Sequence, residues 1–252
     1  MKISIITVVF NNVRTIEDTI RAVEMQNYAD VEHIVIDGAS TDGTLEVLRR
    51  HQNKIAKLVS EPDRGIFDAM NKGLRLATGD VVGLLNADDI YADTDIFQTV
   101  AKVFADETVD ACYADLVYVD PVDINKQVRY WKSKPFRPGM FSTGWVPAHP
   151  TFFARRVSYV RDGGFDESLG LAADYELMLR LLERHHIKAV YVPKVFVKMR
   201  LGGASNRSLR NIVQQNIDIY RSCKKNQIPV SPWIFIAKPL AKLSQYFMKP
   251  AQ

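Results

Sequence analysis

Cysteine is scarce in this chain of 252 residues: Cys112 and Cys223 are its only two, and their separation fits neither a disulfide framework nor a metal-ligand spacing. They read as buried or incidental thiols of a reducing compartment. Clusters of Cys and His are absent as well, which excludes a zinc site. No segment reaches the ~18 uninterrupted apolar residues of a membrane-spanning helix. The first ten residues, MKISIITVVF, contain one lysine, a short apolar run and no small-residue cleavage site, so they read as a first strand and not as a signal peptide. The expected location is the cytoplasm, including the inner face of any membrane the protein visits. Internal repeats, low-complexity tracts and long linkers are also missing. A content of 47% hydrophobic and 25% charged residues excludes a disordered or collagenous chain.

What is present is an uneven charge distribution beneath a net charge of +4. Residues 1–126 carry 12 Lys and Arg against 22 Asp and Glu, a balance of −10, whereas residues 127–252 carry 21 against 7, a balance of +14. The acidic half suits carboxylates that hold a cation or a proton, and the basic half suits a surface that meets an anion. Nucleic acid is a poor choice for that anion. No helix-turn-helix, zinc knuckle or RNA-binding signature accompanies the basic half, and the acidic half would repel phosphates.

Short β-branched runs alternate with helical patterns over the first 105 residues. Ile3 to Val9, Val31 to Asp37 and Val81 to Asn86 read as strands. Ile16, Ile20 and Val23 fall at helical spacing behind Thr15 as N-cap, and Thr44 to His51 and Ile66 to Ala77 read as helices. This alternation predicts an α/β fold with a mostly parallel central sheet flanked by helices. Ligands bind such sheets at the carboxyl ends of the strands, which directs attention to Asn11, Asn12, Asp37 and the Asn86-Ala-Asp88-Asp89 string. After residue 106, Val109 to Val119 and Gln127 to Trp131 read as strands consistent with an antiparallel pair. Lys134 to Pro150 reads as an ordered loop rich in Pro and Gly, Leu171 to His185 as a helix, Val190 to Val197 as a strand and Leu209 to Lys224 as a helix. The economical division is one domain over 1–205 followed by a basic, amphipathic helical appendage over 206–252.

Four strings carry chemistry. In Ile34-Val-Ile-Asp37-Gly-Ala-Ser-Thr-Asp42-Gly-Thr44, a buried strand ends in Asp37, placed to accept from base or ribose donors of a nucleotide, while Ser40, Thr41 and Asp42 can cap the next helix. In Glu61-Pro-Asp63-Arg64-Gly-Ile-Phe-Asp68-Ala-Met-Asn71-Lys72-Gly73, Arg64 and Lys72 are the only cations of an acidic stretch, and a phosphate-bearing ligand would account for them. For Lys72, an ordinary i,i+4 pair with Asp68 accounts for it equally well. In Leu85-Asn86-Ala-Asp88-Asp89, hard oxygen ligands directly after a strand suit Mg²⁺ or Mn²⁺ bridging a diphosphate, although a capping turn before a helix at Thr94 would also explain Asp89. In Ala172-Ala-Asp174-Tyr-Glu176-Leu-Met-Leu-Arg180, Asp174 shares a helix face with Leu177, Met178 and Leu181. Such apolar surroundings would make it a better general base, with a simple N-cap as the alternative. Glu176 pairs at i,i+4 with Arg180.

In this order, with Ser4-Ile-Ile-Thr7-Val-Val-Phe-Asn11 ahead of them and His149-Pro-Thr-Phe-Phe between the last two, these strings resemble the family 2 inverting glycosyltransferases. The resemblance covers residues 3 to 205, and it is nearest to bacterial enzymes of exopolysaccharide and O-antigen assembly, including the colanic-acid type. It implies the GT-A nucleotide-diphospho-sugar transferase fold and a donor based on UDP, GDP or dTDP. Thr7, Asn11, Asp37 and Asp63 would hold the nucleoside, and Arg64 would approach the phosphates. His149 would meet the acceptor sugar or the leaving phosphate. The family's Asp-X-Asp metal motif corresponds to Asn86-Ala87-Asp88, so a divalent cation, Mn²⁺ or Mg²⁺, would rest on Asp88 with Asp89 in support. The Glu-Asp pair carrying the catalytic base corresponds to Ala173-Asp174, which makes Asp174 the base. The alternatives are a non-catalytic nucleotide-sugar-binding homologue, suggested by Asn86 and Ala173, and a nucleotidyltransferase, against which the lack of an early Gly-rich phosphate loop argues.

Beyond residue 205 the chain carries eight Lys and Arg against one acid, Asp218. Trp233, Phe235, Tyr246 and Phe247 interleave with Lys238, Lys242 and Lys249, a composition suited to the interface of an anionic bilayer, where a polyprenyl-diphosphate-linked saccharide acceptor would be found. A helix packed back on the domain, or a homodimer contact, is the alternative. Truncation after Gln227 is expected to release the protein from anionic liposomes in a flotation assay; unchanged binding would count against membrane docking.

Overall fold

All seven side chains of Ile3–Val9 (β1) are buried, so this strand has water on neither face, the condition of a central strand in a sheet covered on both sides. The computed structural model describes residues 1–202 and 209–229. Around β1, strands Val31–Asp37 (β2), Lys57–Ser60 (β3) and Val81–Leu84 (β4) form a parallel half-sheet in the order β3-β2-β1-β4. Helices Ile16–Glu24 (α1), Thr44–Arg50 (α2) and Ile66–Leu76 (α3) supply the crossovers.

The other half is mixed. Ile90–Tyr91 (β5) and Ile96–Phe104 (α4) lead to Ala111–Val119 (β6), which pairs antiparallel with Gln127–Trp131 (β7) as the sequence suggests. Phe153–Arg155 (β8) then inserts antiparallel between β4 and β6, and Ala189–Arg200 (β9) runs parallel to β6 and antiparallel to β5. Arg156–Asp162 (α5), Ala173–Leu179 (α6) and Leu209–Lys225 (α7) complete the described chain. The parallel sheet expected from the strand–helix alternation is therefore the first four strands, and the remainder is a mixed extension of the same sheet.

Alternation along β1 decides which helices cover which face. Ile3 and Ile5 pack with Val23 of α1 and with Ile96, Phe97, Val100 and Phe104 of α4. Ile6 and Val8 point the other way, into a core with Ala69 and Met70 of α3, Tyr159 of α5 and Leu177, Met178 and Leu179 of α6. At Gly73, α3 comes so close to β1 that a β-carbon would overlap the Ile6 side chain. The first part of the C-terminal appendage joins this core too, since Ile219 and Cys223 of α7 are buried in it. Both cysteines are buried free thiols. Residues 230–252, with their aromatic and lysine residues, lie outside the described residues.

Two local expectations are corrected. Thr15 stands at the N-cap position of α1 but makes no cap; its hydroxyl is drawn to Asn12 Oδ1 and to the Ala87 carbonyl, at 2.8 and 2.9 Å. The single helix expected over Leu171 to His185 is three pieces: a 3₁₀ run Glu167–Ala172, α6, and a π-helical turn Arg180–Arg184. Gly170, at φ 49° and ψ −126°, breaks the helical path before α6.

Buried at the centre of β2, His33 sets its Nε2 3.0 Å from the Thr7 hydroxyl, while its Nδ1 has no partner. Burial pushes the imidazole down to about 4 from the ordinary 6.5, so the native state holds it neutral. The unfolded chain takes up the proton first as pH falls. Stability is therefore complete above about 6.5 and declines toward pH 4, by at most ~3 kcal/mol at 1.36 kcal/mol per unit. His33→Gln is expected to flatten the decline in melting temperature across that window; an unaltered slope in thermal unfolding scans would assign it to other groups.

Candidate functional site

The chain moves outward from β1 to β2 and β3, then returns to the other side of β1 as β4, so the order of the sheet reverses between β1 and β4. At the carboxyl ends of those two strands, where such folds bind ligands, a cavity of about 630 Å³ opens, within the ~300–1,000 Å³ usual for ligand clefts. Phe10 and Asn12 after β1, and Asn86 and Asp88 after β4, line one side. Trp145 and His149 from the 134–150 loop, Asp174 and Tyr175 from α6, and Arg129, Lys132 and Lys134 from β7 and its extension line the others.

The strand-end side is braced by three side chains, of which Arg200 also lines the cavity. Thr15 ties Asn12 to the Ala87 carbonyl, Thr19 donates to the Asp89 carbonyl at 2.8 Å, and Arg200, from the end of β9, donates to the Asp88 carbonyl at 2.8 Å while pairing with Asp18. Asp89 proves unsuited to the metal role expected of it. Its side chain is fully buried and outside the cavity lining, and burial, reinforced by the neighbouring Asp88 charge, holds its carboxyl well above the usual carboxylate range. A fully buried side chain outside the lining does not reach a cation in the cleft. Among the described residues no three His, Cys, Asp or Glu side chains converge as a metal centre. Asn86 and Asp88 remain as hard oxygen ligands facing the cavity, a set that fits a Mg²⁺ or Mn²⁺ ion held largely by a ligand's own phosphate oxygens.

Six other residues singled out in the sequence, Thr7, Asn11, Asp37, Asp63, Arg64 and Lys72, do not line the cavity. The Thr7 side chain is buried and its hydroxyl is committed to His33. Asp37 is buried as well, its carboxylate accepting from the Ser60 hydroxyl at 2.6 Å and from the Ser40 N–H, so its visible work is to shape the turn after β2. Asn11, at φ 48°, exchanges two 2.8 Å hydrogen bonds with Ser40 and Thr41 of that turn. Asp63 leans over Gly38, where a β-carbon would stand 2.5 Å from its carboxylate and 3.2 Å from the Phe10 ring. The result is a shallow cradle with Phe10, 63% exposed, as its aromatic wall. Arg64 is held by Asp68 and Glu167, at 3.0 and 2.9 Å, and links the strand-end loops to the segment preceding α6. Lys72 pairs with Glu61 and, at i,i+4, with Asp68. Asn71 makes the same bridge in backbone fashion: its side-chain amide donates to the Phe165 carbonyl and accepts from the Phe165 N–H, both at 2.9 Å.

On the opposite wall, aromatic packing orders the Pro- and Gly-rich loop. Trp145 packs against Phe136, Phe141 and Tyr113, and Phe141 packs edge-on to Tyr175. Buried Glu183 accepts from the backbone N–H groups of Gly139 and Phe141. A 3₁₀ turn, His149–Thr151, ends the loop, and the Thr151 hydroxyl fastens it to the Ala114 backbone of β6. Just after α6, Arg180 forms a two-pronged ion pair with Glu176 of that helix and donates to the carbonyls of Asp162, Gly163 and Gly164. Ala173 is buried in the core, so of the pair Ala173-Asp174 only the Asp reaches the cavity. Within the cavity that it lines together with Leu177 and Met178, Asp174 Oδ1 accepts from the Tyr175 N–H at 2.7 Å, and Oδ2 stands 3.1 Å from His149 Nδ1. Sequence reasoning missed this juxtaposition, together with Phe10, Lys132, Lys134 and Arg200. Lys132 and Lys134, at i and i+2 on an extended chain, are the one legible signal among them, because that spacing puts both on one side.

The glycosyl transferase family 2 profile matches residues 4–164. An uncharacterized glycosyltransferase of Mycobacterium tuberculosis is 33% identical over 186 residues, 71% of this chain and 68% of its own. The glycosyltransferase EpsE of Bacillus subtilis is 25% identical over 249 residues, 96% of this chain and 88% of its own. Among solved structures, the mannosyltransferase PcManGT of Pyrobaculum calidifontis, crystallised with GDP-Man and Mn²⁺, superposes with a TM-score of 0.65 at 23% identity, covering 97% of this chain and 69% of its own. S. aureus TarS 1–349 in complex with UDP-GlcNAc gives a TM-score of 0.66 at 17% identity, over 90% of this chain and 65% of its own. The fold is the GT-A arrangement of these neighbours, and with well over half its length matched, the chain belongs to glycosyl transferase family 2.

Proposed function

We propose that this protein transfers a sugar, with inversion, from a nucleotide-diphospho-sugar to a saccharide acceptor in the assembly of a bacterial surface polysaccharide such as O-antigen. The observation that carries the reading is one cavity in which hard oxygen ligands at the switch point of the sheet, Asn86 and Asp88, share the space with Asp174 on α6. The donor's base stacks on the exposed Phe10 ring beside Asp63, in the cradle left open by Gly38. Its diphosphate lies toward Asp88, which with Asn86 would hold a divalent cation; when bound, the cation would stabilise the charge on the leaving group. Deprotonation of the acceptor hydroxyl occurs at the Asp174 end, on the face of the sugar away from the diphosphate. Lys132 and Lys134 line the acceptor side and have no ion-pair partner among the described residues, which supports an anionic acceptor, a saccharide on a polyprenyl diphosphate at the inner face of the membrane. Among the described residues no helix is long and apolar enough to cross a membrane, so approach to that surface is peripheral in this reading.

A thermal-shift screen of UDP-, GDP- and dTDP-sugars with and without Mn²⁺ tests the donor: a ligand at 100 times its Kd stabilises the native state by about 2.7 kcal/mol. No shift with any of them would remove the nucleotide-sugar reading. Asp174→Asn is expected to keep the wild-type melting temperature and donor binding while transfer falls by ~10²- to 10⁴-fold, the usual share of a general base; transfer near the wild-type rate sinks the role of Asp174. The two adjacent acids should separate in calorimetric donor titrations. Asp88→Asn is expected to weaken Mn²⁺-dependent donor binding about tenfold or more, the lower end of the cost of disturbing a metal's environment, and Asp89→Asn to leave it unchanged. Equal losses in both variants would restore Asp89 as a ligand.

A further inference from the structure

We propose that the outer face of α7 docks this protein on an anionic lipid bilayer, so that the cavity wall formed by the same helix stands one helix diameter from the lipid headgroups. This surface deepens the acceptor reading above and, for what it brings to the cavity, rests on it. Val213, Ile217 and Tyr220 fall at i, i+4 and i+7 of α7, the spacing of a single stripe along a helix, and they are 58%, 41% and 50% exposed. Lys224, at i+11, continues the stripe and is exposed as well. The opposite face is spent on the protein itself: Ile219, Ser222 and Cys223 are buried, and Gln215 and Ile219 line the cavity.

Charge decides what the stripe meets. Asp218, the acid of α7, is buried and accepts from Gln214 at 2.9 Å and from Arg221 at 3.3 Å. Lys225 is spent on Asp166. The helix therefore presents apolar groups and the cations Arg221 and Lys224 outward, and no acid of its own. From Ile219 to the C-terminus the sequence holds six Lys and Arg and no Asp or Glu. A second copy of the chain meeting this face about a two-fold axis would bring those cations together with no acid of α7 to pair them. An anionic bilayer satisfies both halves of the surface. Its acyl boundary takes the apolar stripe and its phosphates take the cations, each worth about 5-fold in affinity near such a surface.

A helix with its side chains is ~10–12 Å across, so a membrane touching the stripe lies about that far from the cavity wall at Gln215 and Ile219. A saccharide whose lipid anchor stays in the bilayer is thereby presented at the rim of the cavity. The stripe acts together with the basic, aromatic composition of residues 230–252, because one weak signal alone gives only marginal membrane binding.

The test floats the full-length protein with vesicles of phosphatidylglycerol and phosphatidylcholine, and with vesicles of phosphatidylcholine alone. The wild type is expected to float with the anionic vesicles only, and to be released by raised salt. Ile217→Asp is expected to lower the partition coefficient ~10-fold or more, the loss of one inserted apolar side chain. Lys224→Glu is expected to lower it about 5-fold or more, and it carries the test if the first variant does not fold. Both variants should keep the wild-type melting temperature and its shift with a nucleotide sugar. Because Cys112 and Cys223 are buried, Ile217→Cys accepts a polarity-sensitive fluorophore at one position. Its emission is expected to move to the blue with anionic vesicles, and that of the same label at Met25→Cys, 62% exposed at the end of α1, to stay.

Flotation of both variants equal to wild type, or a wild type that floats with neither kind of vesicle, overturns the docking surface. So does a wild-type dimer in light scattering that Ile217→Asp splits, or flotation lost only on truncation after Gln227. A nucleotide-sugar shift beside unaltered flotation of the variants removes this surface alone. Flotation that depends on Ile217, beside no shift with any nucleotide sugar, removes the transferase reading and leaves the docking surface standing.

Discussion

Arg180 sits between two sets of acceptors that have to be satisfied together: the Glu176 carboxylate one helical turn before it and the carbonyls of Asp162, Gly163 and Gly164 ahead of α6. Glu176 is buried and Arg180 partly so, and Asn226 of the segment after α7 adds a 3.0 Å hydrogen bond to the same carboxylate. Losing one partner of such a pair leaves an uncompensated charge inside the protein, typically worth about 3–5 kcal/mol. A lysine could not replace the arginine, because only a planar fork satisfies a carboxylate and several carbonyls at once. Everything on this wall of the cavity depends on the arrangement. It sets the start of α6, hence Asp174 and Tyr175, and through Tyr175 the loop that ends in His149.

The charge asymmetry of the sequence takes on a different meaning once the side chains are placed. Several acids of the front half are not presented to ligands at all. Glu32 is buried, and although burial alone would raise its carboxyl, hydrogen bonds from Ser4, Thr78 and Lys57 bring it down to about 2. Asp37 and Asp89 are likewise internal, leaving Asp88 as the acid of the strand-end string that lines the cavity. The basic half concentrates its cavity-facing charge on Arg129, Lys132, Lys134 and Arg200. One cleft thus joins an end that suits a cation and an end that suits an anion.

Legibility in the sequence tracked burial. β1 and β2 were readable to the residue because both are runs of seven rich in β-branched residues, β1 buried throughout and β2 at all but its first position. β3, β5 and β8, of four, two and three residues, are too short to show a period, and they are strands only because a neighbouring strand is there to pair with them. The break before α6 lies at Gly170, whose backbone conformation, φ 49° and ψ −126°, leaves no mark in the spacing of apolar residues. In the cavity, Asn86, Asp88, His149 and Asp174 were legible as members of strings. Their mutual distances were not, because His149 and Asp174 meet only through the way β6 and α6 are packed. Thr7 and Asp37 show the converse: a strand-end position identifies the neighbourhood of a ligand, but not whether the side chain turns toward it or is spent on holding its own loop.

The Asn71 bridge to Phe165 spans 94 positions of the chain. A polypeptide emerging from the ribosome can pair β1 to β4 and the helices between them, and with them the cradle beside Gly38, while residue 165 has yet to be made. At that stage Asn71, on α3, displays an amide whose partner does not exist. The last third of the chain supplies Tyr159 and Leu177 to Leu179 to cover Ile6 and Val8 of β1, and Asn71 latches it there by pairing with the Phe165 backbone. Synthesis order and site assembly therefore coincide: the half that would receive the donor is complete first, and the half that would act on the acceptor is closed onto it afterwards.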